Sequence, residues 1–458
     1  MGSTTTNTSL PWMETPLIPS PHLSRAAGCN IYLKLENLQP SGSFKSRGIG
    51  NLMLQEIASR PDGQNLHFYS SSGGNAGLAC ATSAHALNRP ATIVMGSTTT
   101  NTSLPWMETP LIPSPHLSRA AGCNIYLKLE NLQPSGSFKS RGIGNLMLQE
   151  IASRPDGQNL HFYSSSGGNA GLACATSAHA LNRPATIVTP TSSSPLIVSK
   201  LRLLGAEVEQ VGANWALADK HLRENLVAGR DDAVYVPPFD HPHVWDGAST
   251  IVDELVRQAP GAIHGIACSV GGGGLLNGLF QGIEKHEAVR ASSNPPWPEA
   301  RRPSVLAVET RGADSLNASV EAAEHVTLPG ITSIAKCLGA VRVSSKTWEW
   351  AQRKARLGPS EVTNATADGP AELESVAVED SEAALACVQF ADDTRFVVEV
   401  ACGATIAACY NGLLRQRLGR GLTDKEWRHK NIVVIVCGGS DVSLEVLEGY
   451  KRDYGSAA

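Results

Sequence analysis

Two lysines, Lys45 and Lys139, stand in the same setting, each inside the string Pro-Ser-Gly-Ser-Phe-Lys-Ser-Arg-Gly. A lysine that follows a small-residue turn and lies beside an aromatic ring can reach a carbonyl and form an imine with it. The amine must first shed its proton, and a confined, partly apolar setting helps by lowering its pKa. Alone, such a lysine is a solvated surface residue; three further motifs give it company. Ser164-Ser-Ser-Gly-Gly-Asn-Ala-Gly171 is a glycine-rich turn carrying one asparagine, Asn169. It is either a tight helix start or a backbone cradle whose amide bonds a ring oxygen or a carboxylate. Ser269-Val-Gly-Gly-Gly-Gly-Leu275 lies between an apolar strand and a helix. There Gly271, Gly272, Gly273 and Gly274 let backbone N–H groups approach a phosphate at the positive end of the helix dipole. Val436-Cys437-Gly-Gly-Ser440 closes an apolar strand, and strand carboxyl ends are where open α/β sheets place ligands. An isolated cysteine in that place is otherwise core.

These motifs need strands and helices to hold them, and the pattern supplies both. From Thr189 onward, short β-rich runs alternate with helical ones, as in an α/β fold with a mainly parallel sheet. Pro195 to Leu204 predicts a helix ended by Gly205, and Ala206 to Val211 alternates as a strand. Asn214 to Leu226 predicts a helix, Ala233 to Val236 a strand stopped by Pro237-Pro238. Ala262 to Val270 predicts an apolar strand, with a helix from Leu275 to Glu284 after the glycines. Val305 to Val308 and Ile432 to Val436 read as further buried strands. Ser292 to Pro303 and Gly358 to Glu374 are rich in Pro, Gly, Ser and acids and read as surface insertions.

Residues 1 to 94 reappear, letter for letter, as residues 95 to 188, while everything from Thr189 occurs once. The period is too long for a solenoid or propeller, whose units repeat at about 20–50 residues and diverge. Perfect identity, with each copy opening on Met-Gly-Ser, points instead to a recent duplication of the gene or in its reading. Two copies thus compete for one set of partners. The second enters Thr189 directly, whereas the first must loop out the second copy at about 4 kcal/mol of chain entropy. Lys139 is therefore the expected reactive lysine, and Lys45 its duplicate-copy counterpart.

Composition narrows the class. The chain has 458 residues, 42% hydrophobic and 17% charged, with a net charge of −4. That is an ordinary globular balance, long enough for two or more domains, with no footprint for nucleic acid or membrane. No run approaches the length of a membrane span, and no secretory signal is evident. Gly2 and Thr6 fit a loose myristoylation pattern, without the polybasic second signal. Ten cysteines without a Cys-x-x-Cys pair argue for reduced thiols, a cytoplasmic setting and no structural zinc.

Taken in order, the four motifs make the sequence resemble the tryptophan-synthase-β-like (fold type II) pyridoxal-phosphate enzymes, most closely the eukaryotic L-serine/L-threonine dehydratases. The resemblance runs from about Thr109 to Leu447. It includes Ile125-Tyr-Leu-Lys-Leu-Glu130, Tyr235-Val-Pro-Pro-Phe-Asp240, Ala307-Val-Glu-Thr-Arg-Gly-Ala313, Thr332-Ser-Ile-Ala-Lys336 and Glu399-Val-Ala-Cys-Gly-Ala404. It implies an α/β fold with two open, twisted, mainly parallel sheets, preceded by the duplicate segment. Residues 95–134 and 237–458 would form a large cofactor-binding domain and 135–236 a small one, with 1–94 redundant.

By the same resemblance, Lys139 would hold the cofactor covalently and Phe138 would pack on its ring. Asn169 would bond its phenolic oxygen, Gly271 to Gly274 its phosphate, and Cys437 would face its ring nitrogen. Ser166, Gly167 and Ala170 would lie near the substrate carboxylate. Glu309, with the carbonyls of Ala313 and Leu338, would hold a monovalent cation such as K+. The implied activity is deamination of L-serine to pyruvate and of L-threonine to 2-oxobutyrate, by a homodimer. A racemase would carry serine at position 167, where this chain has glycine. A β-replacement synthase is disfavoured by the Cys-Gly-Gly-Ser ending. A cofactor-free, catalytically dead protein is the reading from another class.

Overall fold

The computed structural model describes residues 10–20, 23–24, 27–60, 66–70, 75–93, 104–154, 159–288, 302–358 and 370–455. Contacts divide the chain into two units, Met1–Ser103 and Leu104–Ala458. In the first unit, β1 (Leu17–Pro19) pairs antiparallel with β2 (Tyr32–Lys34), and β3 (Phe68–Ser70) pairs parallel with β4 (Ala91–Ile93). Helices Lys45–Ala58 and Asn75–Ala86 complete it. Its core is small: Met53, Cys80, Ala84 and Leu87 are buried together, while Leu17, Tyr32, Phe44, Leu52, Tyr69 and Leu78 stay exposed.

The second unit holds two sheets. One has six strands: β5 (Leu111–Pro113), β6 (Asn124–Lys128), β11 (Gly265–Ser269), β12 (Ser304–Thr310), β13 (Leu373–Val378) and β14 (Asn431–Ile435). Their order is β13-β12-β11-β14-β6-β5. Every pairing is parallel except β5 against β6. The other has β7 (His161–Ser164), β8 (Ala185–Thr189), β9 (Glu207–Gln210) and β10 (Ala233–Tyr235), all parallel, in the order β10-β7-β8-β9. Parallel sheets are covered by helices on both faces, so their central strands read as unbroken apolar runs. β8, β11 and β12 are buried at every residue. Each sheet has its own core, the larger built around Phe280, Trp350 and Phe390, the smaller around Ile143, Phe162 and Ile187.

Most predicted elements form within a residue or two of their expected ends. Pro195–Leu203 is a helix, and Gly205 sits at φ +83° beyond it. The glycine-loop helix is longer than expected, Gly274–Ala288. The helix expected over 214–226 divides into an α-helix, Trp215–His221, and a π-helical stretch, Leu222–Val227. One expectation fails. Gly358 to Glu374 is not wholly a surface insertion, because Leu373 and Glu374 begin β13 and are buried. Glu374 tolerates that place because Arg417 and Arg420 lie 3.9 and 3.8 Å away and the Ala371 N–H bonds it at 2.9 Å. Much of both supposed insertions, and the Val94–Met95 junction, lies outside the described residues. None of the helices among the described residues is long and apolar enough to cross a membrane.

Candidate active site

The lysine loop is fixed by the strand end that carries Cys437. The Phe138 N–H bonds the Cys437 carbonyl at 3.1 Å, the Gly439 N–H bonds the Gly136 carbonyl at 3.0 Å, and Ser137 bridges Gly438 antiparallel. This short ladder starts the helix Lys139–Ser153 beside the carboxyl end of β14. A buried charge network then locks the first turn of that helix. Arg141 is fully buried and bonds Glu130 at 2.7 and 2.8 Å and Glu254 at 2.5 and 2.7 Å. Lys128, also fully buried, reaches Glu254 at 2.5 Å. Burial opposes the charge on Arg141, yet its bonds to both carboxylates hold its pKa above the usual value. Glu254 comes from the helix Pro242–Gln258, which the sequence contains once. Within the first unit, the equivalent Arg47 pairs with Glu36 at 2.7 Å and stays about one-third exposed.

Lys139 keeps some surface open, but protein crowds its amine. Nζ donates to the Pro238 carbonyl at 2.6 Å and lies 5.1 Å from the centre of the Phe138 ring. Desolvation lowers its pKa to about 8. That suits an amine meant to react as the free base.

Asn169 opens the helix Asn169–Ala180, with Ala170 buried behind it and Ser166 and Gly167 half-buried in the preceding turn. Its amide donates to both oxygens of Glu399 at 3.2 and 3.0 Å, and its carbonyl accepts the Ser440 N–H at 3.0 Å. Burial raises the pKa of Glu399, which also accepts the Asp441 N–H at 2.7 Å. Gly439 has φ +125°, and a Cβ there would strike the Glu399 carboxylate, so only glycine fits. The Cys337 thiol lies 3.7 Å from the Asn169 amide. Sequence reasoning assigned no role to Glu399 or Cys337. The signal for Glu399 was present: one carboxylate opens the otherwise apolar helix Val400–Tyr410.

Cys437 is buried, 3.9 Å from the Ser269 hydroxyl. A hydrogen bond to Cys402 raises its pKa well above the usual thiol value, with burial adding to the effect. It is a neutral thiol. The glycine loop, by contrast, presents only backbone. A Cβ at Gly272 would run into the Phe239 ring and one at Gly273, at φ +96°, into Thr347. The loop is braced by the Ser344 N–H on the Gly272 carbonyl at 3.0 Å and leads straight into the helix Gly274–Ala288. A side-chain-free loop at a helix start, a desolvated lysine and a neutral thiol at a strand end fit a phosphorylated ring aldehyde.

All three members of the expected cation set make local hydrogen bonds. Fully buried Glu309 accepts the N–H groups of Leu316 and Asn317 at 3.0 and 2.6 Å, and burial holds its pKa well above the usual carboxylate range. The Ala313 N–H bonds the Thr310 carbonyl, and the Leu338 carbonyl accepts the Ala340 N–H, while Leu338 packs on Gly271. No group of three or more His, Cys, Asp or Glu that could hold a metal ion occurs among the described residues.

The model of the pyridoxal-phosphate dependent enzyme family matches residues 8–107 and 102–438, so the chain belongs to that family of enzymes acting on small amino-acid substrates. Among curated relatives, a human serine dehydratase-like protein is 41% identical, covering 76% of this chain and 94% of its own length. A catabolic L-serine/threonine dehydratase of Saccharomyces cerevisiae is 35% identical, with 76% and 91% covered. Among solved structures, a fungal L-serine ammonia-lyase from Rhizomucor miehei superposes with a TM-score of 0.63 at 36% identity, over 76% of this chain and 99% of that one.

Proposed function

We propose that the chain is an L-serine ammonia-lyase, converting L-serine to pyruvate and ammonia and L-threonine to 2-oxobutyrate, with pyridoxal 5'-phosphate held by Lys139. The observation that carries this reading is the meeting of Lys139, Asn169 and Cys437 at the carboxyl end of β14, beside a glycine loop that can present only backbone. When bound, the cofactor supplies an electron sink for the charge left by the α-proton. The residues do the rest. The Lys139 amine, its pKa lowered by desolvation, takes the α-proton as general base in its neutral form. Phe138 flanks the ring and Asn169 bonds its oxygen. Gly271, Gly272, Gly273 and Gly274 hold the phosphate through backbone N–H groups. Cys437, a neutral thiol, would face the ring nitrogen and offer it no carboxylate to hold a proton there. Ser166, Gly167 and Ala170 receive the substrate carboxylate.

The same reading extends to the surroundings. The second copy supplies the working site, within a large domain of 95–134 with 237–458 and a small one of 135–236. Glu309, Ala313 and Leu338 hold K+, supported by a buried carboxylate that accepts only backbone N–H groups among the described residues. The enzyme works as a homodimer in the cytoplasm. Purified protein given L-serine alone and coupled to lactate dehydrogenase should consume NADH, faster in K+ than in Na+. Formation of D-serine as main product, or a need for a second nucleophile, would overturn the assignment.

A further inference from the structure

Behind the Ser164–Gly171 turn lies a buried carboxylate that none of these steps uses. Asp219, in the helix Trp215–His221, is 7% exposed. Its Oδ1 accepts the hydroxyls of Ser165 at 2.6 Å and Tyr235 at 2.7 Å, and Arg223 Nε lies 2.8 Å from its Oδ2. Arg223 closes the ring by donating to the Tyr235 hydroxyl at 3.0 Å, its guanidinium 4.4 Å from the ring centre. Burying a carboxylate is costly unless each oxygen is bonded. The apolar cluster around it is small (Tyr163, Val188, Ala218, Leu222 and Ala233), and a neutral side chain at 219 would extend it. Packing alone does not call for the charge.

What the charge holds is Ser165. That residue is fully buried at the end of β7, directly before Ser166 and Gly167. Asn169 ties the far end of the turn to Glu399 and to the Ser440 N–H, but the side-chain ties beside Ser165 are weaker. The Ser166 hydroxyl accepts the Gly168 N–H at 3.3 Å, the Ser164 hydroxyl has no partner among the described residues, and Gly168 caps its helix without a side-chain bond. A bond to an ionised acceptor is roughly twice as strong as a neutral one. The strand end of the turn, Ser164 to Gly167, is thus anchored chiefly through Ser165 to Asp219. A turn that binds an anion by its backbone gains from being set before the ligand arrives. Arg223 meanwhile cancels the Asp219 charge, so the anchor does not repel an anionic substrate.

We infer that Asp219, acting through Ser165, is a positioning residue for the substrate carboxylate; this rests on the reading above that Ser166, Gly167 and Ala170 receive that group. The test compares Asp219→Asn, Ser165→Ala, Ser165→Thr and Ser166→Ala in the holoenzyme. Two readouts serve: steady-state kinetics with L-serine, and the rise in melting temperature produced by L-alanine, which has the carboxylate but no β-leaving group. Asp219→Asn and Ser165→Ala should each raise KM about tenfold with kcat within about twofold, the signature of lost uniform binding. They should also shrink the alanine-induced melting shift, and Ser165→Thr, which keeps the hydroxyl, should restore both. If Ser166→Ala raises KM while Asp219→Asn and Ser165→Ala do not, the role of Asp219 is refuted and the carboxylate reading stands. If L-alanine leaves the melting temperature of the unaltered holoenzyme unchanged, the carboxylate reading has failed and the inference falls with it. Should Asp219→Asn not fold, Ser165→Ala decides: an unchanged KM, or a loss confined to kcat, overturns the proposal.

Discussion

Removing the amine at position 139 should abolish the visible absorbance of the bound cofactor, and Lys45→Ala should leave it intact; the reverse pattern in purified protein would place the site in the first copy. The lowered pKa of Lys139 makes a second prediction. Its folded value of about 8 lies below the ordinary lysine value of 10.5, so folding favours the neutral amine. In cofactor-free protein this disfavours the folded state below pH 8, a penalty relieved as pH rises toward the ordinary value. Only the neutral amine attacks an aldehyde. The rate of cofactor uptake should therefore climb through pH 8 and then level, measured by the growth of visible absorbance after mixing. A rate still climbing at the ordinary lysine pKa would mean the amine is not desolvated.

Between elements, the decisive contact is the helix Pro242–Gln258 against the lysine helix. Glu254 compensates two fully buried cations, Arg141 and Lys128. Glu254→Ala would leave Lys128 without a carboxylate partner and Arg141 with Glu130 alone, and breaking a buried pair costs about 3–5 kcal/mol. Urea denaturation should show that loss for the folded second unit, and a change within error would mean the network contributes nothing. This contact also marks the limit of what could be read from residues alone. β11 and β14 were legible because strands buried on both faces spell unbroken apolar runs. The glycine loop and the Asn169 turn were legible because chemistry and local backbone coincide there. The pairing of Arg141 with Glu254 was not, since nothing near either residue names the other. Glu374 was misread for the same reason: its arginines, Arg417 and Arg420, come far later in the chain. Ser165, one of three consecutive serines, became distinct only once Asp219 was seen behind it.

Across the whole molecule, the first unit repeats the motifs but not their surroundings. Among the described residues, β3 pairs only with β4, whereas its counterpart β7 pairs with both β8 and β10. Several of its large apolar side chains are exposed, and unpaired apolar strands invite aggregation and proteolysis. Deleting residues 1 to 94 should therefore preserve kcat per bound cofactor and raise the soluble yield. Loss of activity on deletion, measured by pyruvate release, would show that the first copy does more than repeat. The single Glu254 also governs how the gene can change. A codon altered at Arg47 touches a partly solvated surface pair, while the same alteration at Arg141 strands Glu130 in the interior and leaves Glu254 with Lys128 alone. Two stretches with identical letters are thus unequal targets for selection: drift can erode the first freely, and purifying pressure falls on the second.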